Sequence, residues 1–383
     1  MQFFNEKIIF RKLLLDYIIF FTIALFSSSI VVWIFQAVNF LDIIIEDSRD
    51  YLVYINYSLL NFPKILSRLF PFVLFFSVFY VTDRYEQNNE LMIFWNFGVN
   101  KIDVINFFFK ISFIILIIQI TLTSIVVPSS QNLARSFIKN SNISDFSNFI
   151  KPQKFNDTIT GVTIFSEKKD LEGYLYNLYV KRELENNDFL ITYAEKGKFE
   201  NINNTPILML FNGETINYQN NEITNFSFSK TDFVLKNYTT NTTTQTKTQE
   251  ISTTDLFVCF QRIYNFEYLK FFSNSTDVIN CSKKNIKNII KEIYKRLVIP
   301  FYIPLLILIS FLLILYSKES ANYKKIKFLT FFLGLSTVIL SETTIRFITG
   351  SLIFNMKLII IPFILILLFY FLLIFNFKSY RKN

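Results

Sequence analysis

The chain has 383 residues, of which 51% are hydrophobic and 18% aromatic, with 48 Phe, 7 Gly and no His, and a formal net charge of +9. Mean hydropathy of +0.35 and uncharged runs of about 20 residues, the thickness of bilayer hydrocarbon, place it among integral membrane proteins. Without His there is no His-based acid/base work, no Ser-His-Asp or Cys-His nucleophile and no HExxH zinc site. So few glycines leave no GxxxxGK[ST] phosphate loop, so any energy from ATP must come from another protein, and neither cofactor nor metal is expected.

An AT-biased genome would also enrich Phe, Ile, Asn and Lys, so position carries the reading rather than totals. In chain order, apolar runs lie at Tyr17–Phe35, Leu69–Thr82 and Ile111–Val127, then at Leu297–Tyr316, Phe328–Ser341 and Leu358–Phe377. The shorter ones reach across a bilayer when their charged flanks snorkel. The pattern predicts six transmembrane helices, three before and three after a polar stretch. Lys7, Arg11 and Lys12, then Lys318, Lys324, Lys325 and Lys327, then Lys378, Arg381 and Lys382 fall on one side if the helices alternate. The connection with Asp42, Glu46, Asp47 and Asp50 falls on the other, so both termini are expected in the cytoplasm.

Residues 83–101 connect the second and third helices. Asn88 or Asn89 can cap a helix at about residues 86–98 whose first turn carries Glu90 and whose apolar stripe is Leu91, Phe94 and Trp95, ended by Gly98. Such a helix either docks on a partner or lies on lipid headgroups. The acids Asp83, Glu86 and Glu90 against Arg84 disfavour an anionic lipid surface.

The polar stretch, residues 128–284, reads as short strands near 160–165, 175–181, 189–194, 206–211, 214–218, 223–228 and 232–235, separated by Gly, Asn and Asp. That spacing predicts an inserted all-β domain, sandwich or jelly-roll-like. Asn237–Gln249 is Thr-rich and reads as a linker. Cys259 and Cys281 stand on the extracytoplasmic side by this topology, where either a disulfide or two free thiols is open. From residue 285 onward, Ile286, Ile289, Ile290, Ile293 and Leu297 alternate with Lys287, Lys291 and Lys295 as an amphipathic connector into the fourth membrane helix.

Pro63-Lys64, Leu69-Phe70-Pro71, Arg84, Asn89-Glu90-Leu91, Gly98, Val127-Pro128 and Ala134-Arg135 together resemble the LptF/LptG (YjgP/YjgQ) permeases of lipopolysaccharide export. The resemblance runs on through Ile191–Gly197, Asn212-Gly213, Arg296, Pro300 and Pro304. Trp33–Gln36 and Phe40–Asp42 look closer to the LptF side. The resemblance implies a transport subunit of the bacterial inner membrane that pairs with a second LptF/LptG-type permease. It also implies a cytoplasmic LptB-like ATPase dimer and an LptC-like periplasmic jelly-roll protein as partners, lipopolysaccharide as cargo, and no nucleic acid. On that footing Glu90, Leu91, Phe94 and Trp95 couple to the ATPase, while Arg135, Lys64, Arg68 and Arg346 are candidate contacts for lipid phosphate. Glu342 and Arg346, four residues apart, are expected to form an intramembrane ion pair. Alternatives are a lipoprotein-release permease, which has one helix before its outer domain, and a membrane receptor or scaffold that binds a ligand with its β domain.

Overall fold

The computed structural model describes residues 2–41, 51–140, 150–159, 161–170, 172–183, 188–202, 205–219, 222–234, 247–264 and 281–380. The acidic residues at 42–50 and most of the Thr-rich linker lie outside them. The first half is helical: α1 (Gln2–Asn39), α2 (Tyr51–Leu60), α3 (Phe62–Gln87), α4 (Glu90–Asn96), α5 (Lys101–Thr121), a π-helical turn at Leu122–Val126, and α6 (Val127–Asn140). Seven strands follow, β1 (Phe155–Ile159), β2 (Val162–Phe165), β3 (Lys168–Lys169), β4 (Tyr174–Glu183), β5 (Phe189–Ile202), β6 (Thr205–Gln219) and β7 (Glu222–Val234). The chain ends in α7 (Thr253–Tyr264), α8 (Ile286–Leu297), α9 (Tyr302–Ser310), α10 (Tyr323–Thr344) and α11 (Leu352–Tyr380).

Among the described residues six helices are long and apolar enough to cross a membrane, three before the strands and three after. The one-helix layout of the lipoprotein-release alternative does not fit. The chain forms two compact units: one of Met1–Phe35, Leu60–Leu133 and Thr246–Asn383, the other of Gln36–Leu59 and Ala134–Gln245.

In the helical unit the fourth span is the core. Every residue from Tyr302 to Leu315 is buried, as expected of a segment apolar on all sides, whereas the others keep an apolar face turned outward. The polar groups of α1 and α3 meet in pairs. Tyr17 and Thr82 share a 2.7 Å hydrogen bond, and the Tyr85 hydroxyl donates to Asp16. Gly334 of α10 gives the space for the Phe75 ring of α3, since a Cβ there would lie 2.0 Å from ring carbons.

The sheet is antiparallel in the order β1-β2-β4-β5-β6-β7, with β3 beside β4. Each long strand follows its predecessor as a meander, so the all-β insertion holds while no Greek-key crossing occurs among the described strands. Residues 206–218, read from sequence as two strands, form the single strand β6. Asn212-Gly213 does not turn the chain, because Asn212 adopts φ +49 and the pairing resumes in the same register on either side of it. Asn177 of β4 has the same φ. Each such residue inverts the alternation: Leu175 points inward before Asn177, and Leu178 and Val180 after it. One core of Leu175, Leu178, Val180, Ala194, Leu208 and Leu210 is thereby kept on one face.

Candidate functional site

The helix α8 carries the isoleucine repeat and buries Ile289 and Ile290. Its opposite face turns Lys291 and Lys295 into an open cleft of about 630 Å³, which Arg68 of α3 and Lys247 of the returning segment also line. Glu292 and Glu342 line it too, so four cations stand against two carboxylates. A narrow recess adjoins, where Lys64, Arg68, Lys295 and Arg296 converge with Gln131. A cluster of like charges at such spacing is costly unless an anion joins it, and Lys and Arg donors suit a phosphate oxygen.

One wall of this site is built by Arg296, 1% exposed. Its Nε donates to Glu292 at 3.1 Å, Nη1 to the carbonyl of Ile251 at 3.0 Å and to the Thr253 hydroxyl at 2.9 Å, and Nη2 to the carbonyl of Gln249 at 2.9 Å. A buried guanidinium is tolerable only with its donors used in this way. The knot extends to the π-helical turn, a geometry frequent at functional sites. Thr123 donates to the Arg296 carbonyl at 2.9 Å, and Thr253 donates to the Ser124 carbonyl. The segment Gln249–Thr253 is thus tied to both the third and the fourth span. On α7, Cys259 packs with Leu256 against Ile289 of α8 and forms a disulfide with Cys281, with Cα atoms 5.6 Å apart.

The structure brings Lys64 and Arg68 together with Lys295. Arg346 is exposed on the tight turn Ile345–Phe347 and is not among the cleft's lining residues. No ion pair joins Glu342 to Arg346 among the described residues, which corrects that expectation. The α-helix ends at Thr344 and the tighter 3₁₀ turn carries residue 346 off the i+4 position, while Glu342 faces the cleft instead. Arg135 lies on α6 in the second compact unit, beside buried Ala134. Sequence reasoning missed Lys247, Lys291 and Lys295 as site residues. The lysine face of α8 was visible, but only the fold shows Arg68 opposite it.

At the other end of α3 stands α4, started by left-handed Asn89 and ended before Gly98. Glu90 accepts from Asn88 Nδ2 at 3.2 Å. The stripe read as exposed is mostly inward. Leu91 and Phe94 are buried in the helical core, Phe94 against Tyr85, and Trp95 is half-buried near Lys101 Nζ. The apolar side chains that α4 exposes are Met92 and Ile93, with Phe97 just beyond. The end of α3 is braced by Asp83, which accepts from Lys327 Nζ at 2.6 Å and from the Tyr323 hydroxyl at 3.0 Å. Glu86 accepts from the Lys318 amide at 2.8 Å.

Three spans, an inserted antiparallel sheet and three further spans define a multi-pass membrane protein. Over residues 11–379 the sequence matches the family model described as lipopolysaccharide export system permease LptF/LptG, and the chain belongs to that family. It is accordingly a transport subunit of the inner membrane and not an enzyme. No curated protein matches it.

Proposed function

We propose that this chain is one permease of an ATP-driven exporter that extracts lipopolysaccharide from the inner membrane and passes it to a periplasmic bridge. The single observation that carries the reading is the convergence of Lys64, Arg68, Lys247, Lys291 and Lys295 on one cleft and its recess. Lipid A presents phosphates at headgroup level, and clustered cations beside a partly buried wall hold them more firmly than isolated surface charges do. Arg135 and Arg346 serve as further cationic contacts along the path. Both termini and α4 face the cytoplasm and the sheet faces the periplasm, in keeping with the Lys and Arg placement and with an oxidised Cys259–Cys281 pair.

On the cytoplasmic side, α4 docks on a separate LptB-like ATPase dimer through Glu90 and the exposed Met92, Ile93 and Phe97. Leu91, Phe94 and Trp95 anchor the helix to the bundle, so that its displacement moves α3 and the spans around it. A second LptF/LptG-type permease completes the cavity. The edge strand β7 offers thirteen residues of backbone for strand addition by an LptC-like protein. Lipopolysaccharide photo-crosslinking tests the cleft: Lys295→Glu with Arg68→Glu should cut the yield severalfold in a subunit that still inserts, and an undiminished yield rejects it. Glu90→Lys should abolish export in a complementation assay without changing the amount of subunit in the membrane.

A further inference from the structure

Along the sheet runs an open groove of about 1170 Å³, lined mostly by residues that alternate away from the core and also by Leu178, Ala194 and Phe228 of the core side. One of its rows follows the register across the strands: Phe155 beside Phe165, then Tyr179, Tyr193, Glu214 and Ser227. The rings form a ladder, with centroids 6.1 Å apart for Phe155–Tyr179 and 5.3 Å for Tyr179–Tyr193. Phe155 and Tyr193 are 66% and 49% exposed, far beyond what cross-strand packing requires. The neighbouring row is polar and consists of the two left-handed residues Asn177 and Asn212 with Glu195 between them, Asn212 Nδ2 lying 3.3 Å from Glu195 Oε2. Neither row contains a cation, and the charged groups lining the groove are the carboxylates Glu195 and Glu214.

We propose that this groove binds neutral saccharide rings. The chemistry selects the class. Carboxylates without a cation repel phosphate, and a row of amide and carboxylate groups would be desolvated at a cost by an alkyl chain. A strand-forming peptide uses a sheet edge rather than a face. A sugar presents a C–H face to an aromatic ring and hydroxyl donors to Asn and Glu oxygens, which is what two parallel rows, one of rings and one of acceptors, can satisfy together. Under the reading that the cargo is a glycolipid, its saccharide is the part held here.

The test uses the full chain in detergent and a phosphate-free, deacylated hexose oligosaccharide as probe, followed by saturation-transfer NMR and titration calorimetry. Binding is expected for the parent chain and for Tyr193→Phe, with about a tenfold weaker affinity for Tyr193→Ser, whose exposed position leaves the sheet folded by circular dichroism. Absence of binding by the parent chain overturns the proposal. So does equal binding by Tyr193→Ser, or displacement of the oligosaccharide by a decanoyl probe or by inorganic phosphate. Because no transport is measured, an exporter that failed the lipopolysaccharide crosslinking test would leave this outcome separately readable.

Discussion

Replacing Arg296 by Met keeps an unbranched stem as far as the Nε position and removes the guanidinium with its five donors, which opens the knot between α8, the returning segment and the π-helical turn. Two carbonyls, Gln249 and Ile251, lose a donor, at about 1–3 kcal/mol for each group left unsatisfied. Glu292, whose side chain is 16% exposed, loses its partner, and breaking a buried pair costs about 3–5 kcal/mol. These costs overlap, because the returning segment can move to find water once released, so the net loss should be about 4 kcal/mol. Arg296→Lys keeps a charge for Glu292 but cannot fork to two carbonyls and a hydroxyl, and should lose about half as much. The assay is thermal unfolding in detergent together with amide exchange over residues 247–253, which should rise in both variants and more in Met. Combining Arg296→Met with Glu292→Gln should recover about 1–3 kcal/mol in a double-mutant cycle, since the second change removes the stranded charge. A loss under about 1 kcal/mol with unchanged exchange in the returning segment would refute the idea that Arg296 ties it down.

Three further outcomes follow from the packing. Gly334→Ala drives a methyl into the Phe75 ring and should cost about 1–3 kcal/mol, and Phe75→Leu in the same chain should return part of it, as read by unfolding in detergent. Cys259→Ser with Cys281→Ser opens a link across 22 residues and should lower stability by about 3 kcal/mol, while non-reducing peptide mapping of the parent chain finds the two cysteines joined. On α4, Ile93→Asp should leave stability within about 0.5 kcal/mol yet abolish capture of the ATPase, whereas Leu91→Asp, which buries a carboxylate in the bundle core, should lower the amount of folded subunit.

The helices and the connector α8 were legible because their signals are local. An uncharged run and a 3.6-residue repeat survive whatever else the chain does, and the repeat from Ile286 to Leu297 does form one helix. The sheet was legible as strands but not as these strands. Asn212-Gly213 has the composition of a hairpin turn, and only the ladders on either side of β6 hold Asn212 at φ +49 inside a strand. At α4 the failure is of another kind: Leu91 and Phe94 do share one face, as their i, i+3 spacing demands, but periodicity cannot say whether that face meets a partner or the helix's own bundle. Tyr85 and the neighbouring spans occupy it, so the face that α4 leaves open is the one that carries Met92 and Ile93.

The basic cleft shows most plainly why positions and not totals matter. Its cations come from three places far apart in sequence: Arg68 on α3, Lys247 at the end of a linker, and Lys291 and Lys295 on α8. None is unusual where it stands, since each reads as a snorkelling or solvated lysine or arginine. Arg296, the most deeply buried cation among them, spends its donors on carbonyls, a hydroxyl and Glu292 rather than facing the cleft as a free charge. Its burial orders the segment that carries Lys247, and so a residue committed to structure fixes where the residues available to an anion can stand. On the proposed reading the net charge of +9 acts through these few side chains, of which Lys247 sits on the segment that Arg296 ties down.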